Sequence, residues 1–337
     1  MKWNVGQHTW RIVSLLKQKC VTAQHGESFR VVDVVVYVSS VANPQKHSRK
    51  IQCLESFADG VRATGHTVKV EWEHKYTPSR LAVMLGWATT NTGGRNITLR
   101  KQIIPEQRRL GFQTMCIDAS CWKYLDDHGN YLRYSLNGPF YDRAEYANRN
   151  SDATKWLEIS RTLGVQLKPA QVNQAGHVLI CMQRDGGFAM KTLDPMTWLH
   201  DKIHQIRSVS SRQIYVRPHP GQYNMTDFAM YNSKMGKRQN VVILEPTQSR
   251  LIDNLQGAHS AVFFNSSASV AAVCEGIPVF ADDSSCVAWS VANKDVNKIE
   301  TPEIFSREQW MYDLAAAHWS DADARAGRVY QKFLPYL

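Results

Sequence analysis

The chain has 337 residues, 43% hydrophobic and 21% charged, a globular composition too long for one ordinary core, so two domains are the default. Its net charge of +10 sits mostly in front: residues 1–160 carry 22 Lys or Arg against 14 Asp or Glu, and residues 161–337 carry 18 against 16. The seven cysteines (Cys20, Cys53, Cys116, Cys121, Cys181, Cys274, Cys286) are odd in number, far apart and mostly in apolar runs, which argues against a disulfide framework and a Cys-x-x-Cys metal site.

The opening MKWNVGQHTWRIVSLLKQKC alternates polar and apolar residues at helical spacing. It holds no apolar stretch long enough for a signal peptide or membrane span, so a leading helix, no transmembrane contact and a cytoplasmic location are expected. FRVVDVVVYVSS (29–40) is a β-branched run of the kind covered on both faces in a parallel sheet. IQCLESFADGVRATGH follows with helical spacing and Gly65 placed as its C-terminal cap, and TVKVEWE returns as a strand. A third strand over 79–87, a basic helix TLRKQIIPEQRRLG interrupted by Pro105, and a fourth strand over 112–120 ending on Asp118 complete a doubly wound front domain.

Residues 139–175 turn polar, aromatic and Asn-rich, after which a second α/β series begins. Its strands are predicted at 177–183, 213–217, 241–244, 261–264 and 277–281, with crossover helices in DPMTWLHDKIHQIRSV, TQSRLIDNLQGA and SASVAAVCEG. The expected fold is α/β, two Rossmann-like domains facing across a cleft, with boundaries at 1–165 and 166–315. A C-terminal helix, 316–337, would cross back to the front domain.

Ligands of open α/β sheets sit beyond the carboxyl ends of the strands. Three such ends in the rear half carry polar groups. MQRDGGFAMK places Arg184, Asp185 and Gly186 after a strand, where backbone amides can approach a phosphate, although Asp-Gly-Gly is also an ordinary turn. In Arg217-Pro218-His219-Pro220 two prolines stiffen the backbone beneath a guanidinium and an imidazole, both suited to phosphate; the alternative for His219 is a turn cap. Asn265, Ser266, Ser267 and Ser269 lie between a strand and a small-residue helix, an anion-binding arrangement and also a common helix start. Glu275 lies two turns further on. A nucleoside phosphate fits this order of loops.

The HP and SS elements followed by E-G-x-P resemble the donor domain of GT-B glycosyltransferases: bacterial CMP-sialic acid transferases, capsule Kdo transferases and related phage DNA glycosyltransferases. The resemblance covers roughly residues 176–292 and rests on the order of short motifs. It implies that His219 and Pro220 form the HP element, which contacts the donor nucleotide and phosphate, and that Ser266 and Ser267 bind phosphate. It also implies a catalytic carboxylate in the front domain, often followed by a small glycine-containing stretch. Asp118 is the first choice as base, with Asp127 and His47 in reserve; in Asp126-Asp127-His128-Gly129 a histidine interrupts the family's pattern. Turn or cap residue is the competing reading of Asp118.

No Asp-x-Asp stands at a strand end in the rear half, so a metal is expected to be dispensable and no cofactor is required beyond a UDP-sugar or CMP-sugar donor. For the acceptor, the dense basic group Arg100, Lys101, Arg108 and Arg109, with Arg95, Trp87 and Trp122 near in sequence, favours double-stranded DNA bearing a 5-hydroxymethylpyrimidine. Arg133, Ser135 and Asn137 would line the acceptor side. A surface saccharide is the rival acceptor, and a non-catalytic nucleotide- or DNA-binding protein the rival class. A monomer is expected.

Overall fold

The computed structural model describes residues 21–22, 28–29, 32–42, 48–87, 94–126, 129–184, 188–220 and 240–337. The chain divides after Val31. Before that point the described part is one ladder, β1 (Val21–Thr22) antiparallel to β2 (Ser28–Phe29), and the expected leading helix lies outside the described residues.

The body from Val32 onward holds two sheets. In the front lobe β3 (Val32–Tyr37), α1 (Ser48–Ala63), β4 (Val68–Glu71), β5 (Ser79–Leu85), α2 (Arg95–Arg109), β6 (Gln113–Ala119) and β7 (Tyr131–Leu136) follow in turn. The β-branched run of β3 is buried on both faces in strict alternation. Val34 and Val36 pack with Phe57 and Val61 of α1, whereas Val35 and Tyr37 pack with Leu99 and Ile103 of α2. Each such buried side chain contributes roughly 1.5–3 kcal/mol. Pro105, expected to break the basic helix, lies inside α2 on its exposed side, where water can satisfy the carbonyl left without a donor.

α3 (Thr154–Leu163) ends on Gly164 at φ 66° and leads through a linker to the rear lobe. There β8 (His177–Cys181), α4 (Pro195–Val209), β9 (Ile214–Arg217), β10 (Val241–Ile243), α5 (Leu251–Leu255), β11 (Ala258–Phe263), α6 (Ala268–Cys274) and β12 (Val279–Ala281) build the second sheet. Asp194 caps α4, its carboxylate accepting from Thr197 N at 2.7 Å. The rear sheet is wholly parallel in the order β10-β9-β8-β11-β12.

The C-terminal segment is not one helix. It forms α7 (Glu308–Ala316), β13 (His318–Ser320), α8 (Asp321–Arg325) and α9 (Arg328–Phe333). β13 adds antiparallel to β7, so the front sheet reads β13-β7-β6-β5-β3-β4, parallel only over its last four strands. α8 presses on α1 so closely that a Cβ at Gly60 would stand 1.9 Å from the Ala324 carbonyl oxygen. Among the described residues no helix is long and apolar enough to cross a membrane.

The lobes are joined by two passes of chain, the linker after α3 and α7. Arg307 stitches them together: Nη2 donates to Lys168 O at 2.7 Å and Nη1 to Val273 O at 2.6 Å. The linker lies flat on the rear lobe, where a Cβ at Gly276 would fall 2.2 Å from Pro169 O. The glycine of E-G-x-P, at φ 78°, therefore has a packing reason of its own.

Candidate functional site: a cleft at the rear switch point

Rear-sheet connections reverse direction between β8 and β11, the place where open sheets bind ligands. A cleft of about 600 Å³ opens there, with Arg217, His219, Pro220, Ser266 and Ser267 on its rear wall. Cys181 and Met182 at the end of β8 also line it, so three strand ends meet, whereas Arg184 is not among the lining residues. Met182 N donates to Arg217 O at 2.9 Å, which holds two of the strand ends side by side.

Arg217 is 9% exposed. Its Nη1 donates to Asn254 Oδ1 and, at 3.3 Å, to Ser249 Oγ, while Nη2 donates to Pro246 O at 3.2 Å. Three of its five N–H donors thus brace the loop between β10 and α5. That loop contributes Thr247, Gln248, Ser249 and Arg250 to the cleft, none of them singled out from sequence. Asp253 is the one carboxylate lining the cleft among the described residues, and Arg250 engages it at 2.9 Å.

Burial, followed by the charges of Arg184 and Lys123, lowers the pKa of His219 below the ordinary histidine value. Lys123 belongs to the front lobe. With Cys121 and Tyr124 it stands on the turn after β6 and forms the opposite wall, another residue that sequence reasoning passed over. His318, fully buried, fixes this turn: its Nε2 accepts from Cys121 N at 3.0 Å and its Nδ1 donates to Leu314 O at 2.8 Å. Because a backbone N–H donates to Nε2, the ring must be neutral. Burial agrees, lowering its pKa to about 3.

Other predicted site residues stand elsewhere. Asn265 is internal, donating to Ala189 O at 2.9 Å and Ser285 Oγ at 2.8 Å. Ser269 is buried, its hydroxyl donating to Ser266 O at 2.7 Å. Glu275, at the far end of α6, pairs with Lys168 at 2.5 Å outside the cleft. α6 has only seven residues and Ser267 makes no side-chain capping bond, so hydroxyls and cations rather than a long helix dipole set the character of this wall. Asp185 and Gly186 lie outside the described residues, as do Asp127 and His47.

Asp118 ends β6 opposite Arg133 of β7. Its Oδ2 accepts from Arg133 Nη2 at 2.8 Å and its Oδ1 from Ala119 N at 2.8 Å. It is not among the residues lining the cleft, but its partner reaches one that is: Arg133 Nη1 stands 3.6 Å from Cys121 Sγ. Arg133 is therefore internal rather than on an acceptor surface. Arg100 likewise turns inward, 9% exposed, donating from Nη2 to Ser40 O at 2.6 Å and from Nη1 to Trp87 O at 2.9 Å. Arg109 is exposed and paired with Glu106 at 2.8 Å. Lys101, Arg108 and Asn137 do come together, on a groove beside α2.

No protein-family model and no curated protein matches the chain. Solved structures that share its fold include two from one protein. The β-Kdo 2,4 transferase of Thermosulfurimonas dismutans KpsC superposes with a TM-score of 0.51 at 12% identity, over 84% of this chain and 90% of that one. The β-Kdo 2,7 transferase of the same KpsC gives 0.51 at 13% identity, over 89% and 99%. With its two Rossmann-like lobes facing a cleft and its C-terminal segment crossing back, the chain has the GT-B fold.

Proposed function

We propose that the chain is a glycosyltransferase that moves a sugar from a UDP-sugar or CMP-sugar to a hydroxyl, with 5-hydroxymethylpyrimidine in DNA as acceptor. The observation that carries the transfer reading is the convergence of Arg217, His219, Ser266 and Ser267 with Lys123 across one cleft. Cations and hydroxyls facing each other at a switch point suit a sugar-linked phosphate. In the reaction the acceptor oxygen attacks the anomeric carbon, the bond from that carbon to the phosphate oxygen breaks with its electron pair, and a base takes the hydroxyl proton. Lys123, Arg184 and Arg217 offset the charge left on the nucleotide, which gives the role expected of a metal to side chains. Asp118 is assigned as base, with Asp127 and His47 as the alternatives. The rear lobe, 166–315, holds the donor and the front lobe, 1–165, the acceptor; residues 316–337 return to the latter.

The DNA acceptor is supported by the concentration of positive charge in the front half. A surface saccharide is the second reading, favoured by the Kdo transferases that share the fold. Release of UDP or CMP across a panel of nucleotide sugars, with hydroxymethylated DNA, with saccharides and with neither, separates the possibilities. Release only with modified DNA is expected; release only with saccharide moves the acceptor, and none with any pair leaves a binding protein. Asp118→Asn is expected to keep nucleotide affinity and to lower turnover by 100-fold or more, on the order of general-base contributions. Near-normal turnover would place the base elsewhere.

A further inference from the structure

The front lobe carries a second concavity. Two adjoining hollows of about 280 and 290 Å³ follow the flank of α2 and share Trp87, Ile104, Arg108 and Asn137. Lys101, Ile104, Pro105 and Arg108 stand at i, i+3, i+4 and i+7, so a single stripe of the helix forms one wall. The loop after β7 forms the other with Pro139, Phe140 and Arg143.

Among the described residues neither hollow has an acidic lining residue. The nearby carboxylates are engaged, Glu106 by Arg109 at 2.8 Å and Asp142 by Arg143 at 3.2 Å. Among the described residues Lys101 and Arg108 have no ion-pair partner. The floor is apolar and aromatic, and the polar atoms of Asn137 are committed: Oδ1 accepts from Thr114 N at 3.2 Å and Nδ2 donates to Gln113 Oε1 at 2.5 Å. A carbohydrate needs free amides and carboxylates for its hydroxyls, and this groove is poor in both. A stacked duplex would keep its base faces away from Trp87 and Phe140. Basic residues beside aromatic ones in a concave surface suit unpaired bases and their phosphates.

We propose that the groove beside α2 binds an unpaired nucleic-acid strand, with phosphates on Lys101 and Arg108 and bases against Trp87 and Phe140. The groove and the cleft stand at opposite ends of β6: Thr114 lines the first, Cys121 just past the end of the strand lines the second, and the seven extended residues separate them by about 20 Å, the length of a few nucleotides of strand. Identifying the bound strand with the acceptor rests on the transfer reading; the binding itself does not.

The test is fluorescence anisotropy with a labelled unmodified oligodeoxynucleotide of about 20 nucleotides, long enough to cover groove and flank, as single strand and as duplex, with polysialic acid as competitor. The single strand is expected to bind more tightly than the duplex. Lys101→Glu with Arg108→Glu is expected to weaken it roughly tenfold or more at 0.1 M salt and to flatten the slope of log K against log salt by about 1.4. A melting curve checks the fold, and Lys101→Gln with Arg108→Gln serves if charge reversal unfolds the chain. Unchanged affinity in a folded variant overturns the proposal, as does equal or tighter duplex binding, or displacement by polysialic acid at equal charge. Oligonucleotide binding as expected without nucleotide release on any acceptor keeps the groove and removes the transfer reading.

Discussion

The front and rear sheets each reverse strand order at one point, and those two points differ in what occupies them. In the rear lobe the gap between β8 and β11 opens into the cleft. In the front lobe the corresponding gap lies between β3 and β5, and the Arg100 guanidinium spans it by bonding Ser40 O and Trp87 O. Leu85 N donates to Ser40 Oγ at 3.1 Å across the same gap. A guanidinium among backbone carbonyls behaves as a tie between two strand ends, whereas Arg217 braces a loop and still faces the cleft. One address in the fold thus opens into a cleft in one lobe and holds an internal side chain in the other.

The largest effect that would break this comparison is on stability. Arg100→Leu strips the donor from two carbonyls and is expected to cost about 3 kcal/mol of unfolding free energy, read by urea denaturation, with little change in nucleotide affinity. An unchanged midpoint would mean that the front gap is not held by this side chain. Next, Arg217→Ala is expected to weaken nucleotide binding about 30-fold, the size of a lost charge-assisted contact; titration calorimetry measures it, and a change below about threefold would detach Arg217 from the ligand.

The pH dependence sharpens the contrast further. Burial and the charges of Arg184 and Lys123 hold the pKa of His219 down, and a bound phosphate is expected to offset those charges and raise it. Binding therefore takes up protons: affinity rises as pH falls through the bound value and levels off below the free one. Calorimetry in two buffers of different ionisation heat is expected to show this uptake in the native chain and to lose it in His219→Gln. The smallest effect belongs to Lys123, exposed at the rim, where Lys123→Ala is expected to weaken nucleotide binding a few-fold, most at low salt.

Much of this was legible in the sequence because period and punctuation are local. The β-branched runs at 32–37 and 177–181, the helix in DPMTWLHDKIHQIRSV and the small-residue stretch after Asn265 all fold as their patterns imply. The helix Thr154–Leu163 was hidden by the Asn-rich segment before it, although Trp156 and Ile159 keep helical spacing and Gly164 ends it. β7 was hidden because Arg133 interrupts its apolar pattern, and that arginine pairs internally with Asp118. Charge alone could not sort the arginines: Arg100 and Arg108 read alike in sequence, and only packing separates a buried tie from a groove residue. Lys123 and the loop 246–253 reach the cleft through long-range contacts, for which no motif exists.

The stitching by Arg307 limits how the molecule can move. Two passes of chain bound to each other constrain the lobes more than a single connection would. His318 bonds both Leu314 of α7 and Cys121 in the turn of Lys123, so the front wall of the cleft is anchored to one of those passes.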